Sequence, residues 1–494
     1  MLFLSEQKIR EVERAAMENV SEKALIERAA LSLYQELQNF NSVRIYCGKG
    51  NNGSDGYATA VFLNRKGIKV EIVQVYEPSS PACIELCSKA INEGIAVKTE
   101  IDFPTEHFEA TLDAIFGIGM SGEVSGNGKK AIDIINAEGG YVVSADVPSG
   151  MEADTGKSCG ACVRADKTIT FTAPKQGMLS NESVDYCGEI AICDVGIPVD
   201  YSAISESGCV PITNSLVKAM LPKRSRLSHK GTFGTAVIVA GSSQMAGAAA
   251  MAAIAAYKSG CGLVKIIAPE SISGILNILV KEAIVVKSHE QDGVLTSSLS
   301  ENAKQSLRTA SAVLIGCGLG KGNHAPLIEN IMNTTNAPII IDADGINALT
   351  KRLDIIRNKN VLLTPHPLEF SRISGLEVSE IESRRIYYSS KFAQENSITL
   401  LLKGARSVVA YGGRNKYVSI ISTSALSKAG SGDVLSGIAV SLASQGLSLT
   451  DSAAAACHIH GSAGIKAEKE IGAYGTVIDD IINNIPSAIK EILN

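Results

Sequence analysis

A chain of 494 residues exceeds one small module, and at about 150 residues per domain it predicts two or three. Hydrophobic residues make up 45% and charged residues 20%, which excludes a disordered chain. A formal net charge of −5 and the absence of tryptophan disfavour a nucleic-acid binder that works through a global positive field or rows of stacking rings.

The N-terminus, MLFLSEQKIREVER, lacks the flanks of a signal peptide. The eleven cysteines, an odd number, are scattered, and together these features predict a reducing, cytoplasmic setting. The longest uncharged stretch, 232–257, is broken by Gly241-Ser242-Ser243-Gln244, so no membrane span is expected.

An amphipathic helix is predicted from Glu6 to Leu37, followed by the apolar run 43–47, a Gly-rich loop and a helix from Tyr57 to Arg65. Further strands are predicted at 70–75, 112–116, 141–145, 168–171 and 190–193, separated by helix-compatible segments. Between Cys209 and Arg226 the alternation lapses without a strand signal, which places a domain boundary there. A second series begins at 235–240 and continues at 263–267, 312–316, 338–341, 361–364, 399–402 and 408–411. Alternation of this kind predicts two α/β domains, each a mostly parallel sheet covered by helices on both faces.

Gly48-Lys49-Gly50-Asn51-Asn52-Gly53-Ser54-Asp55-Gly56 joins a predicted strand to a predicted helix, a position where backbone amides and a helix N-terminus favour anionic oxygens. Gly48, Gly50 and Gly53 satisfy G-x-G-x-x-G, but so do Gly117, Gly119 and Gly122, so the bare pattern is weak. More specific is the convergence of oxygen-bearing side chains at three strand ends: Asn51, Asn52 and Asp55, then Asp113, then Asp146 and Ser149. Strand C-termini of a doubly wound sheet share one rim, and an amide oxygen, a carboxylate and a hydroxyl there suit a hard cation. Taken singly, Asp113 and Asp146 could equally cap loops or helix starts.

These segments resemble the YjeF N-terminal family of NAD(P)H-hydrate epimerases, over residues 1–210 and including 165–171 and Lys175. The resemblance implies a Rossmann-like three-layer αβα domain. It also implies that Asn51, Asn52, Gly53, Ser54, Asp55, Gly117, Ile118, Gly119, Met120, Ser121, Gly122, Glu123 and Asp146 contact the hydrated nucleotide. Asn52, Asp113 and Ser149 would hold K+, and Asp146 would be catalytic. Ser54 and Ile118 stand where the family commonly has Gly and Thr, and Ser54 fits only if its φ is negative.

In the second half, Ala429-Gly430-Ser431-Gly432-Asp433-Val434-Leu435-Ser436-Gly437 precedes a small and apolar helix. Amides at a helix start with a carboxylate beside them form an anion hole and a general base, as phosphoryl transfer to a hydroxyl requires. With Gly316-Cys317-Gly318-Leu319-Gly320, Asp342-Ala343-Asp344-Gly345, Thr364-Pro365-His366-Pro367-Leu368-Glu369 and Lys403-Gly404-Ala405-Arg406-Ser407, the segment resembles the ribokinase-like ADP/ATP-dependent NAD(P)H-hydrate dehydratase domain over residues 223–494.

That resemblance implies a ribokinase-like αβα domain in which Ala248, Gly318, His366 and Asp433 contact the hydrated nucleotide, with Asp433 catalytic. Lys403, Gly404, Ala405, Arg406, Ser407 and Gly432 would contact ADP or ATP, accompanied by Mg2+. Cys317 stands where relatives usually have Pro. The run 249–256 is read as a tightly packed Ala-rich helix.

The expected activity is bifunctional repair: epimerisation of NADHX and NADPHX at C6, then dehydration of the S form to NAD(P)H using ADP or ATP through a phosphorylated intermediate. A homo-oligomer without nucleic-acid or membrane partners is expected. Two rivals remain at this stage: a ribokinase-like vitamin or sugar kinase with an N-terminal nucleotide-binding module, and a first domain that acts only as a binding scaffold. Cys159-Gly160-Ala161-Cys162 lacks a second ligand pair for zinc, and His458 and His460, two apart on a helix, do not share a face.

Overall fold

The computed structural model describes residues 2–17, 20–102, 106–120, 122–197, 208–412 and 416–494. The chain forms two compact units, Met1–Ser205 and Glu206–Asn494.

The first unit opens with two helices, α1 (Glu6–Ala16) and α2 (Glu22–Leu37), instead of the single predicted helix. Ser21 divides them, because its side chain accepts from the Ala24 amide and caps a new N-terminus. Strands β1 (Ser42–Cys47), β2 (Lys69–Gln74), β3 (Ala96–Lys98), β4 (Ala110–Ala114), β5 (Tyr141–Ala145), β6 (Lys167–Phe171) and β7 (Glu189–Cys193) form one sheet in the order β3-β2-β1-β4-β5-β6-β7. Every pairing in it is parallel. Helices α3 (Asn51–Arg65), α4 (Pro81–Asn92) and α5 (Gly126–Glu138) complete the layers. Alternate residues of β1 serve separate cores: Val43, Ile45 and Cys47 face one, Tyr46 the other. The strand order reverses between β1 and β4, which opens a crevice at their C-terminal ends.

The second unit contains a ten-stranded sheet: β8 (Cys209–Ile212), β9 (Thr235–Val239), β10 (Leu263–Pro269), β11 (Ile284–Ser288), β12 (Ala312–Ile315), β13 (Ile339–Ile341), β14 (Val361–Leu363), β15 (Thr399–Leu402), β16 (Val408–Tyr411) and β17 (Lys416–Ser419). Their spatial order is β11-β10-β9-β12-β13-β14-β15-β16-β17-β8. Only β16 runs antiparallel to its neighbours. The segment expected to lack a strand, 209–226, supplies β8 and the helix α6 (Asn214–Met220), so it belongs to this sheet and is not a linker. Its local pattern is weak because β8 is a short edge strand, specified by pairing with β17.

Helix α7 (Ala246–Lys258) packs on α10 (Ser431–Ser444), two of the helices that cover the sheet along with α8 (Pro367–Ser374), α9 (Arg385–Asn396), α11 (Leu449–Ile471) and α12 (Ile478–Leu493). A Cβ on Gly437 would stand 2.3 Å from the Ala252 carbonyl oxygen, so the Ala-rich face serves close helix packing. Among the described residues no helix is long and apolar enough to cross a membrane. The second reversal in strand order falls between β9 and β12.

Candidate active sites at the two strand-order reversals

In the first unit the loop after β1 is shorter than expected, since α3 begins at Asn51 and takes in 51–56. Ser54 is therefore helical and buried, its hydroxyl turned to the Gly50 carbonyl at 3.3 Å, so no backbone strain arises there. A Cβ on Gly48 would lie 1.8 Å from the Ile115 carbonyl oxygen, and one on Gly53 would lie 2.1 Å from the Gly48 carbonyl oxygen. Packing of chain on chain thus requires these glycines. Gly50 alone is open on that side.

Four segments meet at the crevice. Asp113, fully buried on β4, accepts only from neutral donors: Ser149 Oγ at 2.5 Å, Ser149 N and Ser144 Oγ at 2.8 Å each, and Ile115 N at 3.3 Å. Burial raises its carboxyl above the usual range despite these bonds. Asn52 donates to the Phe116 carbonyl at 2.9 Å, and the Phe116 amide donates to Ser149 Oγ at 2.9 Å. Asn52, Asp113 and Ser149 therefore converge, together with a backbone carbonyl that has no side-chain signature in sequence. A buried carboxylate with no cationic partner among the described residues, surrounded by oxygen-bearing groups, fits a hard monovalent cation.

Asp146 lies just beyond β5 with φ 68°, a left-handed backbone that is rare for a residue with a Cβ. Its Oδ1 accepts from the Phe171 amide at 3.1 Å and from the Lys175 ammonium. Lys175 is 1% exposed and also donates to Thr170 Oγ1 at 2.8 Å and the Phe171 carbonyl at 3.0 Å. Burial, then the charge of Asp146, raises the Glu13 carboxyl on α1. Asp55 is buried on α3, whereas Asn51 is exposed at its first position. Gly117, Ile118, Gly119 and Met120 continue the loop after β4, where the Arg10 guanidinium approaches the Gly119 Cα. Gly122 and Glu123 are exposed, and Ser121 lies outside the described residues.

In the second unit Asp433 occupies the first turn of α10, entered through Gly430 at φ 93°. Burial, and next the charge of Asp342, push its carboxyl up to about 7. Asp342, at the end of β13, accepts from Lys403 Nζ at 2.8 Å and Ser436 Oγ at 2.7 Å. Lys403 also faces Glu369 at 3.8 Å, and these carboxylates hold its ammonium charged against the cost of burial. A Cβ on Gly432 would lie 3.4 Å from Lys403 Nζ, so the α10 amide turn and this ammonium are adjacent. The thiol of Cys317, fully buried, donates to Asp433. Cys317, Asp342 and Asp433 place ligand atoms within 4.8 Å of one another. A thiol does not suit Mg2+, and both oxygens of Asp342 already accept donors, so these residues form no dedicated Mg2+ cage.

His366 caps α8: its Nδ1 accepts from the Leu368 and Glu369 amides at 3.2 and 3.3 Å, and Glu369 returns a bond to the His366 amide at 2.8 Å. Burial lowers its pKa, so the ring is neutral, with the proton on Nε2. Gly318, at φ 61°, lies where a Cβ would meet Ala248 Cβ at 2.8 Å, which joins the two expected contacts across the β9–β12 reversal. The 403–407 segment differs from expectation in one respect. Arg406 is buried, with its guanidinium turned inward to the Ile420 carbonyl, so it presents no cationic head to a nucleotide. Gly404 and Ala405 are exposed, and Ser407 closes the turn by donating to the Gly404 carbonyl at 2.8 Å.

Sequence reasoning did not assign Asp342, Glu369, Ser436, Glu13 or Lys175 a role. Only Glu369 had a local signal, as the third residue after His366 in a capping box. The others acquire their neighbours through the sheet.

Two parallel-sheet α/β units, each with charged groups and a helix N-terminus at its reversal point, define a two-site nucleotide enzyme. The family model described as YjeF-related protein N-terminus matches residues 22–177, and that described as NAD(P)H-hydrate dehydratase matches 236–487. The bifunctional NAD(P)H-hydrate repair enzyme Nnr of Moorella thermoacetica is 30% identical, covering 95% of this chain and 92% of the relative. Those of Salinibacter ruber (33%; 91% and 88%) and Escherichia coli (32%; 91% and 84%) match similarly. A crystal structure of ADP/ATP-dependent NAD(P)H-hydrate dehydratase from Bacillus subtilis, co-crystallised with ATP/Mg2+, is 29% identical with a TM-score of 0.49, covering 57% of this chain and 99% of that one. The chain belongs to the family of bifunctional NAD(P)H-hydrate repair enzymes.

Proposed function

We propose that this chain repairs hydrated nicotinamide nucleotides: the first unit interconverts the R and S epimers of NADHX and NADPHX, and the second dehydrates the S epimer to NAD(P)H with ADP or ATP. The carrying observation is Asp433, a carboxyl whose pKa lies near 7 and which stands at the first turn of α10 beside the Lys403–Asp342 pair. A general base works best with a pKa close to the operating pH.

In the second unit Asp433 takes the proton of the C6 hydroxyl as that oxygen attacks the terminal phosphate. The α10 amides and Lys403 face the developing negative charge. Phosphate then leaves, with loss of a C5 proton, and the dihydropyridine is restored. His366, neutral and half-exposed with its Nε2 3.4 Å from Glu369 Oε1, meets the substrate without adding charge, and Ala248 and Gly318 shape the wall beside it. Gly404, Ala405, Ser407 and Gly432 offer backbone to the adenine nucleotide. Mg2+ bound to the polyphosphate would supply charge neutralisation there.

In the first unit Asn52, Asp113, Ser149 and the Phe116 carbonyl suit K+, which would supply a fixed positive charge beside an anionic nucleotide. Asn51 to Asp55, Gly117 to Met120, Gly122, Glu123 and Asp146 line the nucleotide path. Asp146, fixed by Lys175, stabilises the cation formed when the C6–O bond ionises. The pairing of units has a chemical reason: hydration yields both epimers, and a stereospecific dehydratase empties the pool only when they interconvert. The protein works in the cytoplasm as a homo-oligomer.

The test is incubation of an R/S mixture of NADHX with the protein and ADP or ATP, monitoring return of dihydronicotinamide absorbance. Recovery of the whole pool is expected. No recovery with either nucleotide refutes the dehydratase, and recovery that stops at the S fraction refutes the epimerase. A stable phosphorylated product would mark a vitamin or sugar kinase instead.

A further inference from the structure

Asp55 lies on the second turn of α3, 8% exposed, and its carboxyl takes part in no hydrogen bond among the described residues. Titratable groups on three elements interact with it electrostatically: Asp146 just beyond β5, Glu13 on α1 and Cys83 on α4. The one buried ammonium of the cluster, Lys175, is committed to Asp146, Thr170 and Phe171. Lys175 offsets Asp146 and Glu13, and the Arg10 guanidinium also offsets Glu13, whereas Asp55 feels the negative charges of both, so a further uncompensated negative charge there is unfavourable.

We propose that Asp55 is a catalytic proton donor of the epimerisation site, delivering its proton to the departing C6 oxygen while the lysine-bound Asp146 faces the cationic ring. This assignment rests on the epimerase reading above and divides its chemistry between two carboxyls. Burial, followed by the charges of Asp146 and Glu13, holds Asp55 well above the usual carboxylate range, the state a donor requires.

The Asp55 O–H bond breaks and its proton joins the C6 hydroxyl oxygen. The C6–O bond breaks with its electron pair leaving on water, and the ring nitrogen lone pair forms the N=C6 double bond. Water then adds to C6 from the other face, the N=C6 pair returns to nitrogen, and the proton released by that water passes to Asp146. Exchange of both carboxyls with solvent restores the starting state.

The experiment uses the full chain without ADP or ATP and follows R-to-S exchange of NADHX by chromatography from pH 5 to 9. Exchange should fall as pH rises through the Asp55 pKa, since the donor must be protonated. Asp55→Asn should lower kcat for exchange about 10²–10⁴-fold and abolish that falling limb, with KM and melting midpoint little changed. Asp55→Glu should restore part of the rate. Exchange within twofold of wild type in Asp55→Asn, with the falling limb intact, overturns the assignment. So does loss of exchange accompanied by a collapsed melting midpoint in both variants, which makes Asp55 structural. A wild-type chain that exchanges nothing overturns the parent epimerase reading, an outcome distinct from either.

Discussion

Replacing Asp342 by Asn tests what tunes the base of the dehydratase site. The amide that Asp342→Asn introduces keeps its one oxygen for Lys403 and turns its NH2 to the Ser436 hydroxyl, which then accepts, and Lys403 retains Glu369 at 3.8 Å, so the substitution removes charge with little change of shape. The Asp342 charge is the second cause, after burial, of the rise of Asp433 to about 7. Without it, only burial and the smaller effect of the Asp344 charge oppose the Lys403 ammonium, and Asp433 should come down by about one to two pH units. A base is active when ionised, so the wild-type rate should rise with pH through about 7. At pH 5.5 only about 3% of a group with that pKa is ionised; lowering the pKa to between about 5 and 6 raises the fraction roughly 8- to 25-fold. The assay is the initial rate of absorbance recovery from S-NADHX with saturating ADP, each profile normalised to its own plateau. An acid limb that stays near 7 in the variant would refute the claim that Asp342 sets the protonation of Asp433.

Asp146→Ala should abolish epimer exchange yet leave dehydration of purified S-NADHX unchanged, as read by chromatography and absorbance on the same preparation. Asp113→Asn should remove any rise in melting midpoint that KCl gives over choline chloride, because the buried charge that favours a cation is gone. Gly437→Ala should destabilise by about 1–3 kcal/mol, or 2–4 °C per kcal/mol in the melt, since its Cβ meets the Ala252 carbonyl at 2.3 Å. Gly247→Ala, in open space on α7, should be neutral or stabilising. His366→Ala should lose about 1 kcal/mol with the helix cap, His366→Asn should keep the cap, and both should raise KM for S-NADHX.

The sequence by itself determined the elements whose signals are local. The alternation of apolar runs and helix-compatible segments gave both α/β units and nearly all central strands, because a strand buried on both faces must be continuously apolar. Motif order placed Asn52, Asp113, Asp146, Ser149, Gly318 and His366 at strand ends and Asp433 at a helix start, since a parallel sheet gathers those ends on one rim. The tertiary structure alone decided where the signal is non-local. Strand β8 exists through its pairing with β17, so 209–212 reads as coil until that partner is present. The helix predicted over Glu6–Leu37 breaks at a cap that a long amphipathic pattern hides. Which carboxyl has a counter-ion was equally invisible: Lys175 reaches Asp146 and not Asp55 across 29 residues, and Lys403 reaches Asp342 across 61. Desolvation and the identity of the nearest charge set protonation, and both are properties of packed neighbours, so the acid–base chemistry of the two sites became legible only in the folded chain.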